Sequence, residues 1–141
     1  MRRATRLLKL LTVMTVLFLA ACGGPQLTDK GKNVSEANWT VADFSYTNQN
    51  GDTVSLSDLK GEVWLANFFF SSCTTVCPVL TAHMAKLQKQ LKEEEVSIPI
   101  VSFTVDPERD KPEKLRVFGE KHGADFSTWS FLTGYSFEEV Q

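Results

Sequence analysis

Cys73 and Cys77 are the residues of this 141-residue chain whose type and spacing can do chemistry. They lie in the run Phe68-Phe69-Phe70-Ser71-Ser72-Cys73-Thr74-Thr75-Val76-Cys77-Pro78, where a strand-like apolar pattern gives way to a helix-like one. Two thiols so placed can form a reversible disulfide or hold a soft metal ion as a thiolate pair. Buried free cysteines are commonly inert packing, yet two within five residues at a strand end, beside Pro78, are poorly explained that way. A helix N-terminus stabilises a thiolate and so lowers a cysteine pKa. The loop position of Cys73 predicts that it is the more exposed thiol and reacts first, with Cys77 in the first helical turn. Copper(I) favours thiolates, and copper(II) stands at the top of the divalent affinity order. A two-thiolate site takes at least one further ligand, commonly an imidazole. Neither histidine offers one by spacing. His83 follows Cys77 by six residues on the same predicted helix, about 9 Å along the axis and about 240° around it. His122 shares an apolar helix face with Leu115 and Phe118 and reads as a packed or surface residue.

The elements that must hold the pair are legible from periodicity. Trp39 to Leu56 reads as a hairpin turning at Asn48-Gln49-Asn50-Gly51-Asp52. Glu62 to Phe70 is almost continuously apolar and predicts a central strand covered on both faces. After Cys77, the residues Leu80, Met84, Leu87 and Leu91 make a stripe of helical period. Glu93-Glu94-Glu95 at its far end opposes the helix dipole. A second strand is expected over Ile98 to Val105, followed by the loop Asp106-Pro107-Glu108-Arg109. Asp106 there is a candidate to approach the cysteine loop and support it from behind. Asp110 and Glu113 have capping-box spacing ahead of a helix stopped by Gly123, and Trp129 to Thr133 reads as a third strand. Ser136-Phe137-Glu138-Glu139 opens a further helix, and the sequence stops two residues after it. The expectation is an α/β domain of thioredoxin-like arrangement: a central sheet with flanking helices, an N-terminal hairpin, and a missing C-terminal part. The spacing departs from thioredoxin, which has two residues between its cysteines where this chain has three.

Residues 1–21 predict a secretory signal. Met1 to Lys9 carries four cations and no anion, and Leu10 to Ala21 is an apolar stretch too short to span a bilayer. It closes on Leu19-Ala20-Ala21-Cys22, which resembles a bacterial lipobox. That resemblance implies cleavage before Cys22, lipid on Cys22, and anchoring at the outer face of the cytoplasmic membrane. Residues 22–38 then read as a flexible tether and 39–141 as the domain. Loss of residues 1–21 leaves 11 Lys and Arg against 17 Asp and Glu, a net charge of −6. An acidic exported domain is a poor nucleic-acid binder. With Cys22 lipidated, Cys73 and Cys77 are the remaining thiols, an even pair in an oxidising compartment.

The cysteine run, together with Phe103-Thr104-Val105-Asp106-Pro107-Glu108-Arg109-Asp110 and Val54-Ser55-Leu56-Ser57-Asp58-Leu59-Lys60-Gly61, resembles the Sco/SenC family. With the lipobox, the likeness is to its lipoprotein members in Gram-positive bacteria, and it covers about residues 39–141. The resemblance implies a thioredoxin-like fold and copper bound by Cys73, Cys77 and one distant histidine. That histidine is expected beyond Gln141. The resemblance further implies a part in building the binuclear copper centre of cytochrome c oxidase, with the copper-bearing oxidase subunit as partner. Thr74 stands where many relatives have proline, a change in loop stiffness more than in ligand chemistry. The alternative is a thiol–disulfide oxidoreductase that keeps the oxidase subunit's cysteines reduced. A peroxidase of the peroxiredoxin type ranks last, because it needs threonine three residues before the attacking cysteine and Phe70 stands there.

Overall fold

The computed structural model describes residues 34–140. Cys22, the signal sequence and the tether up to residue 33 lie outside them. Residues 34–40 carry one exposed 3-10 turn, Ser35–Ala37.

From residue 41 the chain builds two sheets. Strands β1 (Ser45–Thr47) and β2 (Thr53–Ser55) pair antiparallel. The turn between them is closed by Asn48, whose side-chain oxygen accepts the N–H groups of Asn50 and Asp52. Gly51 sits at φ +86° there, a conformation side chains disfavour. The expected hairpin is present but shorter than Trp39 to Leu56. A 3-10 turn, Leu56–Leu59, follows, with Asp58 and Ser55 forming a capping box.

The second sheet is parallel throughout: β3 (Leu65–Phe69), β4 (Ile100–Thr104) and β5 (Trp129–Leu132), in that order. Helix α1 (Val76–Glu93) joins β3 to β4, and α2 (Pro112–Lys121) joins β4 to β5. All five β4 residues are buried, so β4 is the covered central strand. The sequence assigned that place to the run ending at Phe70. Among the described residues β3 is instead an edge strand, and Phe68 is 57% exposed.

Alternation along β4 separates two cores. Ile100 faces Phe69, Trp129 and Phe131, and both helices cover that side through Cys77, Leu115 and Phe118. Val101 and Phe103 face Leu132 and Tyr135, covered by Phe44, Tyr46 and Val54 of the hairpin side and by Leu59. A buried polar chain crosses the sheet: the Trp129 indole N–H donates to Ser102 Oγ (2.8 Å), and Ser102 donates to Asn67 (2.6 Å). Each partner satisfies another, so the burial costs little.

Helix α1 is rotated relative to the expected stripe. Its buried residues are Cys77, Thr81 and Gln88, while Leu80 and Leu87 are 38% and 36% exposed. Gln88 wins the core position through three hydrogen bonds to the loop before β5. Its Nε2 donates to Asp125 O and Thr128 Oγ1, both at 2.7 Å, and its Oε1 accepts Asp125 N–H at 2.9 Å. Simple hydrophobic periodicity does not see such a residue. The expected helix at Ser136 is a 3-10 turn, Phe137–Val140, with Glu139 accepting the Ser136 N–H (2.7 Å).

Candidate metal and redox centre

The cysteine loop begins where β3 runs out of partners. Val105 N–H donates to Phe69 O (2.8 Å), and the Cys73 N–H turns back to Phe70 O (3.2 Å). Helix α1 then starts at Val76 with Thr75 as its N-cap residue, but the Thr75 side chain makes no capping hydrogen bond. The Cys73 sulfur takes that role: it accepts the Cys77 N–H at 3.4 Å and lies 3.7 Å from Thr75 Oγ1. A free helix N-terminus carries unpaired amide protons and partial positive charge, so a sulfur placed there is stabilised as thiolate.

The two thiols therefore differ. The Cys77 N–H, the Thr75 N–H and the Cys77 thiol bring the Cys73 pKa from 9.0 to about 6. Burial pushes the Cys77 thiol up, and the adjacent Cys73 sulfur adds to that. The expected depression at Cys73 is present, while its expected exposure is slight: Cys73 is 9% and Cys77 6% exposed. They are not bonded to each other in this structure. Cys73 opens onto a groove of about 640 Å³ between its loop and α2, walled by Thr74, Pro78, Phe118 and His122.

Asp110 anchors the loop from below. It is fully buried, and its carboxylate accepts the Ser71 N–H (2.9 Å), the Ser71 hydroxyl (2.5 Å) and the Thr104 hydroxyl (2.6 Å). Lys114 completes the set at 3.1 Å. Burial alone would raise the Asp110 pKa. The Ser71 and Thr104 hydroxyls, the Ser71 N–H and the Lys114 ammonium more than offset it and hold the carboxyl below the ordinary range. The capping role expected from the Asp110 and Glu113 spacing is absent: Lys111 is the N-cap residue of α2, without a side-chain cap. No local signal marks Asp110 as the anchor, because Ser71 lies 39 residues away.

Asp106 is positioned nearby in a different way. Its carboxylate pairs with Arg109 (3.4 Å), its carbonyl accepts the Asp110 N–H (2.9 Å), and it lines a cleft with Phe70. His83 is exposed on α1. His122 is half-buried, its Nδ1 donating to Phe118 O (2.7 Å) and its ring packed on Phe118.

As a donor set, two adjacent thiols, one ionised near neutrality, fit a soft low-coordinate cation such as copper(I). Among the described residues no group of three His, Cys, Asp or Glu converges on one point, so a harder copper(II) would draw on a further donor.

Comparison with known proteins places the chain among relatives of one family. A family model described as SCO1/SenC matches residues 32–141. The SCO1 protein homolog of Bacillus subtilis is 50% identical over 125 residues, 89% of this chain and 62% of the relative. A solved structure of BsSco, a member of the Sco family of cytochrome c oxidase assembly proteins in which a disulfide switch was identified, superposes with TM-score 0.69 at 52% identity, covering 73% of this chain and 60% of that one. The structure of Bradyrhizobium japonicum ScoI with copper bound matches with TM-score 0.61 at 25% identity, over 70% and 60% of the two chains. The chain thus spans about three-fifths of the length of these relatives.

Proposed function

Because this chain belongs to the SCO1/SenC family, we propose that it binds copper through Cys73 and Cys77 and serves the assembly of the copper centre of cytochrome c oxidase. The observation that carries the reading is the Cys73 sulfur at the N-terminus of α1, accepting the Cys77 N–H, a placement that lowers the thiol pKa to about 6. Copper, when bound, would supply a soft centre for two thiolates, and the residues of this chain do the rest. Cys73 presents a preformed thiolate, Cys77 follows by releasing its proton to solvent, and Asp110 keeps the loop in place through Ser71. Asp106 supports the same loop through the Asp110 amide. The partner in this reading is the copper-bearing oxidase subunit. The domain (39–141) would hang from a lipid on Cys22 by the tether 22–38 after loss of the signal 1–21, on the extracytoplasmic face of the membrane.

Titration of the reduced protein and of its disulfide form with copper(I) and copper(II) tests this. One equivalent bound by the dithiol, and loss of binding in the disulfide form and in Cys73→Ser, is the expected result. Equal binding by the disulfide form would sink it. Anchoring has its own test: Cys22→Ala should leave the protein unprocessed or release it to the medium, and wild-type partitioning of that variant would remove the lipid from the proposal.

The division between an ionised Cys73 and a buried, protonated Cys77 also suits thiol–disulfide exchange, with one attacking and one resolving sulfur. This second reading keeps the same two residues and treats the oxidase subunit's cysteines as the substrate.

A further inference from the structure

Cys73 lines a groove on the surface of the described residues. Three further clefts contain carboxylates: Glu95 and Asp125 in one, Asp106, Glu108 and Glu138 in another, Asp43 and Glu139 in a third. The cysteine groove contains none. Its charges are Lys114 and Lys121 of α2. Lys114 is held by the buried Asp110 carboxylate, so its charge is largely compensated. Lys121 has no side-chain partner among the described residues and stands exposed on the rim. Between the lysines the wall is apolar. Val117 is 63% exposed, and Pro78 and Phe118 continue the strip toward the sulfur.

A reactant that meets the Cys73 sulfur from solvent meets it in this groove, since the thiol is otherwise enclosed by its own loop and the core. We infer that the groove docks an extended segment of the partner protein in which an acidic side chain neighbours the reacting cysteine, and that Lys121 reads that charge. The inference rests on the proposal that Cys73 and Cys77 are the working pair. The chain as a whole is acidic, with a net charge of −2. An acidic segment is therefore disfavoured over most of the surface and favoured here, which orients the encounter. The apolar strip at Val117 accepts one neighbouring apolar side chain.

Disulfide exchange reports on docking without copper. The Cys73 thiolate attacks the partner cysteine of a disulfide, forming a mixed disulfide and expelling the other sulfur as thiolate. Cys77 then loses its proton to solvent and attacks Cys73, forming the Cys73–Cys77 disulfide and releasing the partner cysteine as thiolate. Two electrons pass from the pair to the partner disulfide, and one proton is released.

The test uses heptapeptides with a single cysteine capped as a disulfide with 2-mercaptoethanol, flanked by Glu, Gln or Lys. Rates with the reduced protein are divided by those with free glutathione. The Glu peptide should exceed the Lys peptide by roughly tenfold at low salt and lose that advantage as salt rises. Lys121→Glu should abolish or invert the ratio, and Lys86→Glu, the same charge change on an exposed residue of α1, should leave it intact. Equal rates for the three peptides would overturn the inference. So would a Lys121→Glu change of the same factor for all three, because that assigns Lys121 to the basicity of the thiolate. The assay contains no metal, so failed copper binding would sink the copper proposal and leave this one standing, whereas a flat peptide series would sink this one alone.

Discussion

Helix α1 gives up its free backbone groups differently at its two ends. At the N-terminus the amide of Cys77 points at the Cys73 sulfur, three residues before the first helical residue, Val76. At the C-terminus the chain folds back on itself: Val96 N–H donates to Leu91 O (2.9 Å) and Glu95 N–H to Lys92 O (3.2 Å), with Glu95 at φ +58°. That is a Schellman closure carrying glutamate where glycine is the unstrained residue. The first end leaves capping to an ionisable atom, and its loop is held by a buried carboxylate as well as by the bond from Cys73 N–H to Phe70 O. The second end is closed by backbone alone and tolerates both a strained residue and three glutamates. An ionisable sulfur thus stands at the end where the cap is a side chain that can change state.

The comparison can be broken most strongly at Asp110. Asp110→Ala removes the acceptor for Ser71, Thr104 and Lys114 and should cost about 3 kcal/mol in urea unfolding. Ser71→Ala, which keeps the carboxylate paired with Thr104 and Lys114, should cost about 1 kcal/mol. If Asp110→Ala unfolds like wild type, the anchor is not where the geometry puts it.

The two ends should also differ in pH response. A thiol whose folded pKa lies below its unfolded value stabilises the fold at high pH and loses that contribution as pH falls through the folded value. Cys73, at about 6 folded and 9.0 ordinarily, should therefore make the reduced protein progressively more stable between pH 6 and 9. Cys73→Ser should flatten that rise, and alkylation of Cys73 should show a midpoint near pH 6. A midpoint at the ordinary thiol value would remove the N-terminal cap.

Nearer the C-terminal end, Gln88→Ala should cost about 2 kcal/mol by stranding Asp125 and Thr128. Leu87→Ala should cost less than Gln88→Ala, because Leu87 is one-third exposed. A reversal of that order, measured by thermal unfolding, would restore the leucine stripe as the buried face. The smallest effect is expected at Glu95→Gly, which should stabilise by about 1 kcal/mol through relief of the left-handed conformation. The Cys73 titration should not move with it.

Much of the architecture was legible in local pattern. The turn at Asn48 to Asp52, the strand ending before Cys73, the helix after it and the stop at Gly123 all depend on short-range backbone preferences, and they appear where expected. The misreadings concern which face of an element is buried. Periodicity places Leu80 and Leu87 in the core and covers Phe68 on both faces, whereas all three are exposed, because apolar character alone does not fix burial.

The sequence by itself determined where the cysteine pair stands: cysteines four apart at a strand-to-helix junction put a sulfur at a helix N-terminus through chain geometry alone. Only the tertiary structure decided that Asp110, not a local cap, holds that sulfur's loop, that Gln88 occupies a core position, and that α2 brings Lys121 to the groove beside Cys73. Those arrangements join residues about 40 positions apart, and a contact over that distance is set by how helices and strands pack, which no local spacing encodes.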